Sequence, residues 1–250
     1  MSIIISAYFK IPSKATHEFY ISHIRRFLNN VMNHIVFFTT PDLIDIIKEM
    51  RGDLPITFIS YDSIYDIVAF KKFGIDFWKH QCEIDNEKYH TPEVAAIWYN
   101  KKEFVKEAIR LLEIHNIDTY NVPFIWCDAG CVRKDAWQPL IKTFGNNVQC
   151  IPSNKLLIQI LNNRPNKLYL SFPDICVAGA IMAGYRDTWF KCSEIYDIVL
   201  QKYVEAKVCC NSDQHIIATS ILLYNDHYEC IMCNYPHIIS EWFRFLHYLS

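Results

Sequence analysis

The sequence predicts a mixed α/β fold with a mostly parallel, Rossmann-type sheet and helices on both faces. Short apolar runs alternate with segments of helical periodicity, an order typical of βαβ units. The run 123–127 is apolar without alternation, as expected of a strand covered on both faces. With 250 residues, a hydrophobic share of 51% and no break in composition, we expect one domain over 1–250.

The first elements follow from β-branched runs and the amphipathic segments between them. The spacing predicts strands at 2–9, 35–39 and 55–60, and helices at 16–28 and 43–50. Gly52 is placed to end the second helix.

The clearest helix signal begins at Thr91-Pro92-Glu93. Thr91 can cap the helix, Pro92 suits its first position and Glu93 favours the positive end of the helix dipole. The helix should run to about residue 115. Its apolar stripe leaves four residues on more polar faces: Asn100, Lys101, Lys102 and Lys106.

The second half of the chain continues the alternation. A small-residue strand is predicted at 177–183, followed by helices at 187–204 and 216–223. Asn211 and Gln214 have the spacing of a capping box before the last helix.

Charge and composition exclude several classes of protein. A net charge of -2 lacks the clustered excess of Lys and Arg that nucleic-acid binding requires. No apolar run approaches the roughly 20 residues that span a bilayer, and the apolar run at the N-terminus is too short for a signal peptide. We expect a soluble, cytoplasmic protein without nucleic-acid partners or a transmembrane segment.

Asp128 is the strongest candidate for chemistry, because it ends the buried run 123–127 and is followed by Ala129 and Gly130. Ligands of open α/β sheets bind beyond the carboxyl ends of the strands. A carboxylate there needs a partner to offset desolvation, and a divalent cation could provide it. Alternatively, Asp128 caps the following turn. Gly130 would allow close backbone approach of a pyrophosphate or simply make the turn.

Two further carboxylates are candidates for the same cleft. Asp213 lies in the first turn of a predicted helix, where it either interacts with the helix dipole or acts as a general base toward an acceptor hydroxyl. Asp174 precedes the small-residue run Val177-Ala178-Gly179-Ala180. That run would let a sugar ring lie against backbone, or would allow tight packing of a helix on the sheet.

Familiar nucleotide and hydrolase motifs are absent from the sequence. There is no Gly-x-Gly-x-x-Gly, no Walker-type Gly-Lys-Ser/Thr and no Gly-x-Ser-x-Gly. Their absence disfavours dehydrogenases, phosphate-loop NTPases and α/β-hydrolases.

Several segments, in order, resemble the HtrL/YibB family, also called WlaTC/HtrL-like glycosyltransferases. They span most of the chain and are densest between His90 and Arg133. The segments are Ser6-Ala7-Tyr8-Phe9, Ile35-Val36-Phe37-Phe38-Thr39, His90-Thr91-Pro92-Glu93, Ala96-Ile97-Trp98 with Lys101, Phe124-Ile125-Trp126-Cys127-Asp128-Ala129-Gly130-Cys131-Val132-Arg133, and Val177-Ala178-Gly179-Ala180.

This resemblance implies a GT-A-like fold and transfer of a hexose from a nucleoside-diphosphate sugar, a UDP-sugar, to a glycan or another hydroxyl acceptor. Asp128 matches the first Asp of the Asp-x-Asp metal element, and Gly130 stands in place of the second. The implied metal, Mn²⁺ or Mg²⁺, would be held by Asp128 and His247, and the implied catalytic residues are Asp213 and Asp174. The resemblance implies donor binding by Ala7, Tyr8, Lys101, Asp128, Ala129 and Gly130.

Two other functions fit the same predicted fold. A nucleotidyltransferase would bind a nucleoside triphosphate and release pyrophosphate. A non-catalytic carbohydrate-binding protein would keep the fold without turnover.

Overall fold

A computed structural model of the protein describes residues 2–13, 15–234 and 237–250. Its strands are β1 (Ile3–Ala7), β2 (Ile35–Thr39), β3 (Ile56–Ser60), β4 (Phe124–Cys127), β5 (Leu156–Ile160), β6 (Val177–Gly184) and β7 (Tyr228–Met232). They form one seven-stranded sheet in the order β3-β2-β1-β4-β6-β5-β7. β6 runs antiparallel to both neighbours, and the other pairings are parallel. The predicted mostly parallel sheet is confirmed.

Helices cover both faces of this sheet. They are α1 (His17–Asn30), α2 (Pro41–Arg51), α3 (Val68–Ile84), α4 (Pro92–Ile114), α5 (Gln138–Ile141), α6 (Arg186–Glu205), α7 (Asp213–Leu223) and α8 (Phe245–Tyr248). Alternate side chains of each strand enter two apolar cores. One core packs against α3, α4, α6 and α7, and the other against α1, α2, α5 and α8. None of the described helices is both long enough and apolar enough to cross a membrane.

Local sequence signals set several boundaries correctly. The Thr91 hydroxyl accepts a hydrogen bond from the Val94 N–H at 3.3 Å and caps α4. Gly52 ends α2 with φ at +61°, a conformation that glycine adopts without steric cost. Helix α3 was not predicted; it is kinked at Gly74, which interrupts its periodicity.

The predicted capping box before α7 is wrong. Ser212 is the N-cap residue and its side chain makes no capping bond. The Asn211 amide instead donates to Asp85 Oδ2 at 2.6 Å, and the Gln214 amide donates to the Val177 carbonyl at 2.7 Å. Partners distant in sequence therefore replace the local pairing that the spacing suggested.

The prediction of polar faces on α4 is also wrong, because Asn100, Lys101 and Lys102 are buried. Each has a polar partner inside the protein, which offsets its loss of hydration. The Asn100 side-chain oxygen accepts from the Ala69 N–H at 3.0 Å, and Lys102 pairs with Asp197 at 2.9 Å. Lys101 turns toward the sheet edge.

A buried arginine ties α1 to the start of β2 and β3. Arg51 is 2% exposed and donates to the carbonyls of Leu28, Val31, Asn33 and Pro55. We expect Arg51→Met to lower the free energy of unfolding by about 3 kcal/mol, because four carbonyls, three of them in buried hydrogen bonds, lose a charged donor. Urea unfolding measures the change, with the exposed Arg25→Met on α1 as the control. Equal stability of the two variants would contradict this role.

Candidate functional site

A cavity of about 750 Å³ lies at the carboxyl edge of the sheet. Its volume is within the range of small-molecule sites. The ends of β1 and β4 reach it, as does the start of the antiparallel β6 with Gly179 and Ala180. The residues predicted from sequence that line it are Ala7, Tyr8, Lys101, Asp128, Ala129, Gly130 and Asp213.

Asp128 uses its backbone for the turn and its side chain for the cavity. Its carbonyl accepts from the Cys131 N–H at 3.0 Å, which closes the turn. Its carboxylate accepts from the Trp126 indole N–H at 2.8 Å and faces the Lys101 ammonium, with its side chain 35% exposed. The side chain of Asp128 therefore does not cap the turn, and it remains accessible from the cavity.

Lys101 joins the two strongest candidate carboxylates. Its ammonium lies 2.8 Å from Asp213 Oδ2 and 3.2 Å from Asp128 Oδ1, and it donates to the Gly179 carbonyl at 3.0 Å. The side chains of Lys101 and Asp213 are each 5% exposed. One buried cation thus connects α4, β4, β6 and α7.

The charges in this cluster shift each other's proton affinity. Burial opposes the charge on Lys101, but Asp128 and Asp213 outweigh it and raise the pKa of Lys101 above its ordinary value. Burial raises the pKa of Asp213, and Asp128 adds to that effect against the attraction of Lys101. Lys101 therefore stays protonated at neutral pH, while Asp213 is a stronger proton acceptor than an exposed aspartate.

Gly179 is required by the close approach of α7 to β6. A Cβ atom at this position would lie 2.6 Å from Asp213 Oδ2, closer than a Cβ atom approaches a non-bonded oxygen. Of the two explanations for the small-residue run, tight packing of a helix on the sheet holds at this residue. The same glycine lines the cavity.

Tyr8 follows β1 and forms another part of the cavity wall. Its hydroxyl is 2.8 Å from His17 Nδ1, and the two rings stack with centroids 5.8 Å apart. Burial, with the nearby Tyr20 and Glu18, raises the pKa of Tyr8 to about 12. The phenol is therefore neutral at physiological pH and presents an aromatic surface at the end of β1.

Two predicted site residues lie apart from this cluster. Asp174 is exposed, pairs with Lys167 and is not among the residues that line the cavity. His247 lies in the short C-terminal helix α8 and does not line the cavity either. The structure therefore does not bring either residue to Asp128.

The side chains at Asp128 do not fit a metal site formed by protein ligands. Gly130 supplies no second carboxylate, and Asp128 and Asp213 both face the Lys101 ammonium. Within the described ranges no group of three or more His, Cys, Asp or Glu residues could hold a metal ion. The metal implied by the resemblance stays a prediction.

Two contributors to the site were not singled out in the sequence, namely Trp126 and His17. Trp126 lies two residues before Asp128, and residues i and i+2 of a strand point to the same face. Strand periodicity could therefore have identified the donor to Asp128. The contact between Tyr8 and His17 depends on how α1 folds back on β1, which no local pattern reports.

Comparison with known proteins supports the fold assignment. The chain matches a crystal structure of mouse xyloside xylosyltransferase 1 in its apo form, with a TM-score of 0.51 and 11% sequence identity. The match covers 98% of this chain and 93% of the mouse chain. The predicted GT-A-like fold is confirmed. No protein-family model and no curated protein matches the sequence significantly.

Gly179→Ala should move the Asp213 carboxylate away from Lys101, because the added methyl group occupies its space. We expect a loss of about 1–3 kcal/mol in the free energy of unfolding. In an Asp213→Ala background the same methyl group meets no carboxylate, so Gly179→Ala should lower the free energy of unfolding clearly less. Urea unfolding of the unmodified protein, the two single variants and the double variant measures this coupling. Additive effects of the two substitutions would contradict the proposed clash.

Lys101→Met should destabilise the protein by about 3–5 kcal/mol at pH 7, because two carboxylates lose their buried counter-ion. Without Lys101, the folded-state pKa of Asp213 rises further above its unfolded value. The folded variant then binds protons more readily than the unfolded chain, so its stability falls as pH rises through the carboxylate range. The loss relative to the unmodified protein should be smaller at pH 4 than at pH 7.

Chemical unfolding at the two pH values measures this difference. Lys79→Met is the matched control, since Lys79 forms an exposed pair with Asp76 on α3. A loss that is independent of pH would show that Lys101 contributes packing rather than charge.

Proposed function

We propose that this protein is a glycosyltransferase, with one domain over 1–250, that moves a hexose from a UDP-sugar to a hydroxyl acceptor. The observation that carries the proposal is the cluster of Lys101, Asp128 and Asp213 at the carboxyl edge of the sheet, inside a cavity large enough for a nucleotide sugar. The fold shared with a xylosyltransferase supports it. The resemblance to the HtrL/YibB family gives the same function from sequence motifs.

Glycosyl transfer requires charge stabilisation at the leaving group. The bond between the anomeric carbon and the donor phosphate oxygen breaks, and its electron pair stays on the departing diphosphate. Lys101 is protonated and lies at the cavity wall, so it is suited to stabilise that negative charge. In this proposal Asp128 orients Lys101 from the exposed side, and Asp213 holds it from the buried side.

The acceptor must lose a proton as its oxygen bonds to the anomeric carbon. We assign that proton to Asp213, whose burial raises its pKa and whose carboxylate reaches the cavity wall. Asp174 is not suited to this step, since it is exposed and paired with Lys167. The metal implied by the resemblance enters only as an experimental variable.

The proposal predicts that nucleotides stabilise the protein selectively. At about 100 times its dissociation constant, UDP should raise the free energy of unfolding by about 2.7 kcal/mol and the melting temperature by about 5–10 °C. ADP and GDP should raise it less. Differential scanning fluorimetry measures these shifts, with Mn²⁺ present in one series and EDTA in a parallel one.

Asp128→Asn separates catalysis from binding alone. In the variant, release of UDP from a UDP-hexose should fall by about 100-fold, because Lys101 loses a carboxylate that orients it toward the leaving diphosphate. Asp174→Asn is the control with unchanged turnover. The proposal would be overturned if no nucleotide shifted the melting temperature. If a nucleoside triphosphate stabilised the protein and pyrophosphate were released, the protein would be a nucleotidyltransferase. If Asp128→Asn kept full function, a non-catalytic carbohydrate-binding protein would be favoured.

A further inference from the structure

A second polar cluster lies where α3 is connected to α4. His90 Nδ1 is 2.6 Å from Asp85 Oδ2, and their side chains are only 8% and 7% exposed. Asp85 also accepts from the Asn211 amide at 2.6 Å and from the Glu87 N–H at 3.0 Å. Burial opposes the charge on Asp85, but these hydrogen bonds outweigh it and lower the pKa of Asp85. The carboxylate is ionised and fixes the orientation of the imidazole.

The second ring nitrogen of His90 is left as a hydrogen-bond acceptor. The ionised Asp85 accepts the hydrogen of Nδ1, and Nε2, which carries none, faces Glu87. The distance from Nε2 to Glu87 Oε2 is 3.8 Å, which is too long for a direct hydrogen bond. Both atoms are acceptors, so one hydroxyl could donate to Nε2 and a neighbouring hydroxyl to the Glu87 carboxylate. His90 and Glu87 both line the large cavity.

Aromatic rings surround the same part of the cavity. Tyr89 and Trp98 contact the His90 ring edge-on, with centroids 4.4 and 4.8 Å away. Together with Phe172, which is 38% exposed, they line the cavity wall. Apolar walls combined with a few oriented polar groups are typical of small-molecule sites, and they match the apolar faces and hydroxyl rim of a pyranose.

One buried hydrogen-bonding group near this cluster has no partner among the described residues. His215, at the start of α7, is 6% exposed, and its Nε2 is buried without a hydrogen-bond partner. Burial is the main cause that lowers the pKa of His215, and the charge of Asp85 acts against it. His215 does not line the cavity, so it contributes to the polar surroundings of the cluster rather than to the surface that a ligand contacts.

The cluster is separate from the one around Lys101. Lys101 is ten positions after Thr91, the N-cap of α4, which corresponds to a rise of about 15 Å along the helix axis. Val94, Ile97, Trp98 and Lys101 form a continuous stripe of α4 along the cavity. The cavity therefore has room for a second ligand at the N-terminal end of α4 while a donor contacts Lys101.

We propose that Glu87 and His90, with Asp85 orienting the imidazole, form the acceptor subsite, which binds adjacent hydroxyl groups of a neutral pyranoside. The acceptor role rests on the proposed glycosyltransferase function, whereas pyranoside binding does not. The carboxylates disfavour an anionic ligand such as a uronic acid or a sugar phosphate, because like charges repel at short range. The ring of the pyranoside packs against Trp98 and Phe172.

The first test measures binding without any donor. Saturation-transfer NMR is recorded with p-nitrophenyl glucopyranoside, galactopyranoside, mannopyranoside and xylopyranoside, and with p-nitrophenyl glucuronide as the anionic comparator, at up to about 10 mM. At least one neutral pyranoside should bind, and binding should weaken by about tenfold or more in His90→Ala and in Glu87→Gln. The glucuronide should bind more weakly than the matching glucoside.

His80→Ala is the matched control, because His80 on α3 also faces a glutamate three positions away in the sequence, at 3.6 Å, but is exposed. The second test measures release of UDP from a UDP-hexose with water or with the pyranoside as acceptor. His90→Ala and Glu87→Gln should raise the acceptor KM by about tenfold, whereas His80→Ala should leave the acceptor KM unchanged.

Three outcomes would overturn the subsite. First, no pyranoside binds the unmodified protein, with or without UDP. Second, pyranoside affinity is unchanged in both His90→Ala and Glu87→Gln. Third, these variants lose UDP binding together with pyranoside binding. Pyranoside binding that depends on His90 in a protein that no nucleotide stabilises would support the subsite and refute the glycosyltransferase. The two proposals therefore fail separately.

Discussion

The buried ammonium of Lys101 is the interaction on which the edge of the sheet depends. It meets a carboxylate from α7, a carboxylate from the end of β4 and a carbonyl of β6. The buried Asp213 carboxylate would be strongly destabilising without this cation. The approach of α7 is close enough that only glycine fits at position 179. Charge and packing thus constrain the same few residues.

The two carboxylates around Lys101 are not equivalent. Asp213 is almost completely buried and makes the shorter contact, so it holds Lys101 from the buried side. Asp128 makes longer contacts and exposes about a third of its side chain. This ion pair holds the Lys101 ammonium, whose side chain is 5% exposed, at the cavity wall beside an accessible carboxylate. The pairing of Asp128 with Lys101 is therefore compatible with a role in binding.

Helix α4 connects the two clusters in the cavity. Its capped N-terminus lies beside His90 and Asp85, and its middle carries Lys101 to the sheet edge. A rigid helix fixes the separation of two sites better than a loop does. The unusual burial of α4, including Lys102 and Asn100, follows from this position between the sheet and the outer helices.

Much of the fold is determined locally. Short-range backbone and burial preferences, which periodicity reveals, set several features. They are the strand at 35–39, the cap at Thr91, the end of α2 at Gly52 and the position of Asp128 after a buried strand. The order of elements then indicates a mostly parallel sheet, whose carboxyl edge is the expected place for a site. Asp128, Lys101 and Asp213 were predicted as site residues from that position and from the family resemblance.

Only the tertiary structure decided which partners those residues have. Contacts between residues far apart in the chain decide three features of the site. They bury Lys101, join Asn211 to Asp85, and leave Asp174 and His247 outside the lining of the cavity. The free energy of a buried charge depends on its nearest opposite charge rather than on its sequence neighbours. Periodicity alone therefore assigned Lys101 to a polar face, whereas the packing of α7 against β6 placed it at the centre of the site.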